Sequence, residues 1–175
     1  MTKYILGISL LFILACKDSS DCDLDNPEID FPLLCIETAN DSEEISKYNY
    51  SDASIELKSI HESENVSLDV EIRGRGNSTW GFPKKPYQLK FEDKESVLSL
   101  PADRRWILLA NYSDKTLLRN ELVFNMSRFS SLDWTPESRY VELMLNNEYL
   151  GVYQLTQKVE ESVNRVDIGL SLIHI

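Results

Sequence analysis

The sequence predicts an α+β domain with a mostly antiparallel sheet and one main helix. Three observations carry that expectation. Short segments alternate apolar and polar residues with period two; a single stretch repeats apolar residues at helical spacing; clusters of Gly, Pro, Asn and Asp separate the segments. Of the 175 residues 42 % are hydrophobic and 27 % charged. That is a globular composition, with length enough for one domain and a tether.

Phe31 to Thr38 reads as a buried first strand, opened by Pro32 and closed by Ala39-Asn40-Asp41-Ser42. Ser54 to Ile60 and Ser67 to Arg73 alternate in the manner of half-buried antiparallel strands. Tyr87 to Phe91 places Tyr87, Leu89 and Phe91 on one side and Gln88 and Lys90 on the other. Arg105 to Asn111 is a short apolar run ending at a polar turn. From Thr116 to Ser130, Leu118, Leu122, Met126 and Phe129 recur at helical spacing, with Ser113 or Asp114 as the expected cap. Arg139 to Leu145 and Tyr149 to Thr156 form a hairpin about Asn146-Asn147-Glu148. Trp80, Tyr87 and Trp106 are assigned to the core, where strand aromatics normally belong.

The chain begins with a targeting pattern. Lys3 precedes a twelve-residue apolar run, Tyr4 to Ala15, too short to span a bilayer and suited to a signal peptide over residues 1–15. Ile13-Leu14-Ala15-Cys16 resembles a bacterial lipobox, which makes Cys16 the expected lipidation site and residues 16–30 an acidic tether. The implied location is the cell envelope of a bacterium, lipid-anchored at the outer membrane or cell surface. Cys22 and Cys35 remain. Export permits a disulfide between them, but a tether position for Cys22 and a strand position for Cys35 favour Cys35 as an unpaired small core residue. The last residues, Leu170-Ser171-Leu172-Ile173-His174-Ile175, match one reading frame of a transposon-end sequencing adapter. The domain is therefore expected over residues 31–169, with 170–175 an artefact and the native chain continuing beyond.

Charge narrows the function. A formal net charge of −11 argues against nucleic acid as a partner. Yet the window from Arg73 to Arg119 holds ten Lys or Arg against five Asp or Glu, a local positive field able to draw a small anion. Inside it, Gly74, Gly76 and Gly81 share a loop with Asn77, Ser78 and Thr79, followed by Lys84, Lys85 and Lys90. Glycines free a backbone to approach a ligand, and successive amides in such a turn form an anion-binding concavity. With only His61 and His174 in the chain, histidine-based triads and histidine-rich metal sites are excluded.

The segments Phe31–Thr38, Arg75-Gly76-Asn77-Ser78-Thr79-Trp80, Lys84–Phe91, Trp106–Asp114, Leu117-Leu118-Arg119-Asn120, Tyr149–Thr156 and Asn164-Arg165-Val166-Asp167-Ile168 occur in an order that resembles the CotH kinase family, the spore-coat-type secreted protein kinases. The resemblance implies the small lobe of an atypical protein kinase, truncated before the C-lobe that carries the catalytic acids. It implies ATP and a divalent metal such as Mg as cofactors, with phosphoryl transfer to protein by the full-length form and none by this fragment alone. In that reading the amides of Gly76, Asn77 and Ser78 cover the phosphates and Lys90 pairs with them, with Lys84 and Lys85 as rivals. Arg119 orients an acid or phosphate, and Glu121 is either a partner of Lys90 or a surface acid. Gln157 departs from the family pattern, in which Glu is more usual. The alternative from another class is a non-catalytic surface binding or adhesion lipoprotein module.

Overall fold

The computed structural model describes Cys22, residues 31–40 and residues 44–168. The leader over 1–15, the lipidation site Cys16, the tether apart from Cys22 and the 170–175 tail all lie outside the described residues.

Five strands come first: β1 (Leu33–Thr38), β2 (Ser51–Lys58), β3 (Val66–Gly74), β4 (Tyr87–Glu95) and β5 (Asp103–Leu109). Helix α1 (Arg119–Arg128) precedes the hairpin of β6 (Ser138–Leu145) and β7 (Glu148–Gln157). The strands close into a barrel in the order β1-β2-β3-β4-β5-β7-β6. All pairings are antiparallel but the last, in which β6 runs parallel to β1 and seals the cylinder. The turn of the final hairpin holds Asn146 and Asn147 at φ of 49° and 62°, the left-handed pair that a two-residue hairpin connection requires and that Asn tolerates.

Alternation fills the barrel. Ala53, Ile55 and Leu57 of β2, Val70 and Ile72 of β3, and Tyr87, Leu89 and Phe91 of β4 point into one continuous core. Trp106 and Leu108 of β5 and Tyr153 and Leu155 of β7 meet them there. Burial raises the Tyr87 hydroxyl to a pKa of about 12. Trp80 is only partly buried and packs against this core from outside, its indole lying over Gly74 so closely that a Cβ there would meet the ring at 2.2 Å.

The expected α+β small lobe with a main helix is overturned by this arrangement. A sheet closed on itself buries its apolar face against itself and leaves none for a helix to cover. Helix α1 has ten residues and none of them is buried. Leu122 and Met126, which give the segment its helical period, are 61 % and 64 % exposed, and Phe129 is 92 % exposed. The spacing reported the backbone conformation; it carried no information about what packs on it. The cap also differs from the expectation. Leu118 occupies the N-cap position, while Asp114, five residues before the helix, reaches forward so that its Oδ2 accepts the Arg119 N–H at 2.9 Å.

The cysteine assignment is corrected as well. Cys22 and Cys35 form a disulfide with Cα atoms 5.8 Å apart. Strand β1 is buried on both faces: Leu34 and Ile36 enter the barrel, while Leu33 and Cys35 face outward under Cys22 and beside Met144. Lys58 fixes the tether residue further by donating to the Cys22 carbonyl oxygen. Burial of Cys35 therefore arises from its bonded partner and not from the core.

Two outcomes follow. Leu108→Ala should lower unfolding free energy by about 2–5 kcal/mol, whereas Leu122→Ser should stay within about 0.5 kcal/mol of the parent in urea denaturation; comparable losses would put α1 in the core. Cys22→Ser, or reductant added to the unmodified protein, should each cost about 3 kcal/mol, and equal midpoints with and without reductant would show that the bridge contributes nothing.

Candidate functional site

Strand β3 ends at Gly74 and its ladder with β4 ends at the Gly74–Tyr87 pair. The chain between them is a loop in which the Arg75 N–H still donates to Pro86 O at 3.1 Å. Beyond that bond the amides of Gly76, Asn77 and Ser78 take no part in strand pairing. Gly76 sits at φ +88°, and a Cβ on it would meet Thr79 Oγ1 at 2.0 Å. Only glycine satisfies both the backbone angle and the fold-back of the Thr79 hydroxyl. A single 3₁₀ turn (Ser78–Gly81) then redirects the chain, closed by the Phe82 N–H donating to Thr79 O at 3.3 Å.

This loop forms one wall of a cavity of about 390 Å³. Gly76, Thr79, Phe82, Arg75 and Lys84 line that wall. The opposite wall is the segment leaving β5, from Ala110 to Asp114, with Arg119 and Asn120 at the start of α1. Lys84 is drawn in by β7: its Nζ donates to Val152 O at 2.5 Å and lies 4.3 Å from the Tyr153 ring centroid. Half-burial holds the Lys84 ammonium below its ordinary pKa. Burial, and secondarily the neighbouring Arg73, does the same to Arg75.

Asp114 is the single carboxylate of the lining. Its Oδ1 accepts from Thr116 Oγ1 at 2.7 Å and Thr116 N at 3.2 Å, and lies 3.6 Å from Arg119 Nε. Arg119 is 78 % exposed, so that ion pair holds it loosely. Among the described residues neither Arg75 nor Lys84 has a carboxylate at ion-pair distance. Three cations thus face one acid, and two of the three are half-buried without a counter-charge.

A chain of amides sets the position of the second wall. Gln154, fully buried on β7, accepts from Asn111 Nδ2 at 3.0 Å and donates to Ser138 Oγ at 2.9 Å and Glu121 Oε2 at 3.3 Å. Asn111, at φ +47°, accepts in turn from Asn120 Nδ2 at 2.9 Å. Tyr140 adds a bond from its hydroxyl to Leu117 O at 2.6 Å. Helix α1 is therefore fastened to the barrel wall by polar bonds at its first turn.

Of the residues expected to meet phosphate, Gly76 and Arg119 come together in this cavity and Asn77 and Ser78 follow in the same loop. Lys84 joins them. Lys85 does not: its Nζ donates to Trp80 O at 2.7 Å and covers that indole. Nor does Lys90, which pairs with Glu71 directly across the β3–β4 ladder and lies over the Tyr50 ring. Lys90 lines a larger cavity of about 760 Å³ together with Glu37, Asp52, Asp69, Glu71 and Glu92, an acidic setting unsuited to a polyphosphate. Glu121 hydrogen-bonds Ser138 and Gln154 and pairs with Arg128 at 3.6 Å, not with Lys90. Gln157 is buried and accepts from the Glu137 N–H at 3.0 Å. Sequence reasoning passed over Arg75, Asn111 and Gln154 as site residues; the cationic loop and the polar turn after β5 were the available signals.

Metal chemistry does not fit these residues. No group of three or more His, Cys, Asp or Glu side chains able to hold an ion occurs among the described residues, and Asp114 is already engaged by Thr116 and Arg119. The cavity is a cleft between the Gly76 loop and the turn after β5, lined by Arg75, Lys84 and Arg119. Residues 72–173 match the CotH kinase protein family, and the chain belongs to that family. It is also 30 % identical over 95 residues to the inner spore coat protein H of Bacillus subtilis (strain 168), an alignment covering 54 % of this chain and 25 % of that protein. The chain thus spans about a quarter of the length of that curated relative.

The hydroxyl of Thr116, followed by the amide of Arg119, holds the Asp114 carboxyl below the usual Asp range. A depressed folded-state value means that this carboxylate stabilises the loop above the ordinary pKa of about 3.9 and ceases to as pH falls through the lower one. An NMR titration should find Asp114 protonating below the ordinary value, with Arg119 amide protection lost over the same range; a midpoint at or above the ordinary value would contradict the geometry.

Proposed function

We propose that this chain is the nucleotide-binding part of a lipid-anchored, surface-displayed CotH protein kinase, and that its cleft holds the triphosphate tail. The observation that carries the reading is the convergence of Arg75, Lys84 and Arg119 on one cavity whose rim is the Gly76 loop, with Asp114 as their only acid. Charge-assisted hydrogen bonds from half-buried cations suit phosphate oxygens, and ladder-free amides beside them suit an anionic ligand. Membership of the CotH kinase protein family supports phosphoryl transfer as the chemistry.

Within that reading the cleft binds and orients. Arg75 and Lys84 take phosphate oxygens, Arg119 swings from Asp114 to a third, and the Gln154–Asn111–Asn120 chain holds the second wall against β7. A divalent metal, when bound with the nucleotide, supplies charge neutralisation on the phosphates; the cleft residues do not hold it, and the base that accepts the substrate proton is not among them. Lipid attachment at Cys16 places the protein in the envelope. No helix of the described residues is long and apolar enough to cross a membrane.

Calorimetric titration of ATP into the protein tests the assignment. Arg75→Met and Lys84→Met should each weaken binding about 10-fold or more, the equivalent of removing one hydrogen bond between charged groups at about 1.5–3 kcal/mol. Lys90→Met should leave the affinity within about twofold. Unchanged binding in both cleft variants, or a large loss on Lys90→Met alone, would move the phosphates out of this cavity.

A further inference from the structure

Outside the cleft, we propose that the apolar face of α1 is a membrane contact, seated among the headgroups of the bilayer that holds a lipid on Cys16. This rests on the reading of the protein as lipid-anchored and is independent of what the cleft binds. The helix turns its polar side toward the barrel. Glu121, its one acid, bonds Ser138 and Gln154, and Asn120 bonds Asn111. Leu118, Leu122, Val123, Met126 and Phe129 are each more than half exposed. With 3.6 residues per turn, Leu122, Met126 and Phe129 fall on the side turned from Asn120, with Leu118 and Val123 at its borders.

A surface helix in water does the opposite, burying its apolar stripe and turning its charges outward. An interfacial helix has the orientation seen here. It lies in the membrane plane with its apolar face about 5–10 Å deep, and cations beside it meet lipid phosphates. Lys115 stands exposed before α1 and Arg128 exposed at its end.

The barrel indicates which occupant fits this face. Val141 and Leu143 of β6 enter the core, so Ser138, Tyr140 and Met144 share its outer row. Ser138 and Tyr140 seat α1 through Glu121 and Leu117 O. Met144, four residues beyond Tyr140 and about 13 Å along the strand, packs against the Cys22–Cys35 pair. Phe31, just before β1, meets the Tyr140 ring with centroids 6.2 Å apart. The bridge and the entry to β1 therefore lie on the wall that carries α1, and a tether from a lipid on Cys16 joins the domain there. The acids Asp69 of β3 and Glu92 of β4 line a cavity on strands three places round the barrel from β6. Anchored by the α1 wall, the domain turns that acidic surface away from lipid phosphates.

The lipidated protein in vesicles of phosphatidylethanolamine and phosphatidylglycerol tests the placement. A fluorescent dye is attached at Phe129→Cys and, in a second preparation, at Asp69→Cys; Cys22 and Cys35 are bonded to each other and do not react. The dye at position 129 should be quenched by a nitroxide-bearing phospholipid and shielded from aqueous iodide about 5-fold relative to the dye at position 69. Equal iodide quenching at the two positions overturns the proposal. Shielding of position 129 from both quenchers overturns it too, because a second copy or a further part of a longer chain then covers the face. Intact-mass analysis reads the anchor separately, and an unmodified Cys16 defeats the anchoring reading. In that case the chain from Lys17 onward, which retains every described residue, decides the role of α1. It should partition onto the same vesicles, and Met126→Ser combined with Phe129→Ser should lower that partition about 10-fold or more with the urea midpoint unchanged. Equal partition by parent and variant, or none by the parent, overturns the membrane contact.

Discussion

The parallel pairing of β1 with β6 is the constraint on which the rest of the molecule depends. It joins Leu33–Ile36 to Glu142–Leu145, so it is made between distant parts of the chain and converts an open meander into a cylinder. Asn146 fixes its register. The Asn146 N–H donates to Ile36 O at 2.9 Å, its Oδ1 accepts the Thr38 N–H at 2.8 Å, and its Nδ2 donates to Thr38 Oγ1 at 2.8 Å. At the other end the Glu142 N–H donates to Pro32 O at 2.8 Å. Because side chains alternate with period two, a slip of one residue would turn Val141 and Leu143 outward. Closure also removes the two free edges an open sheet of this size would expose.

Closure decides where function can be placed. The barrel interior holds the apolar core, and the cleft is built on the outer wall. That wall offers Gln154 and Ser138 in place of apolar groups, and a buried amide demands partners. Asn111, Glu121 and Asn120 provide them, which is why a helix with no buried residue still has a defined seat. A fully satisfied polar network specifies one geometry more sharply than apolar contact would. The cleft inherits that precision on one side, and the Gly76 turn supplies it on the other.

How much of this was legible varies with the range of the interaction. Period-two alternation located the strands, and Asn146-Asn147 marked the last hairpin, because both are local signals. The seam left no trace: Thr38 and Asn146 are 108 residues apart in sequence. The helix misled in an instructive way, since its apolar spacing was real but the face it defines stays uncovered in the described structure. Lys90 illustrates the same limit at the site. Alternation put it on the polar side of β4, but only the register with β3 shows that its neighbour is Glu71 and its surroundings acidic. The glycine loop was legible in composition, whereas the turn after β5 that faces it is brought there by the fold. A disulfide was open to consideration from export alone; treating the tether as independent of β1 hid it.

That bridge has a bearing on how the protein would stand at a membrane. Six residue steps lead from Cys16 to Cys22, and Cys22 is bonded to the barrel wall. At full extension a trans chain advances about 3.3–3.6 Å per residue, so the leash from a lipid on Cys16 to the domain measures about 20 Å, where an unbridged stretch reaching β1 would pay out more than twice as much. For a lipid carried on Cys16, closing the bridge would shorten the longest reach of the domain from the membrane, and reducing it would lengthen that reach.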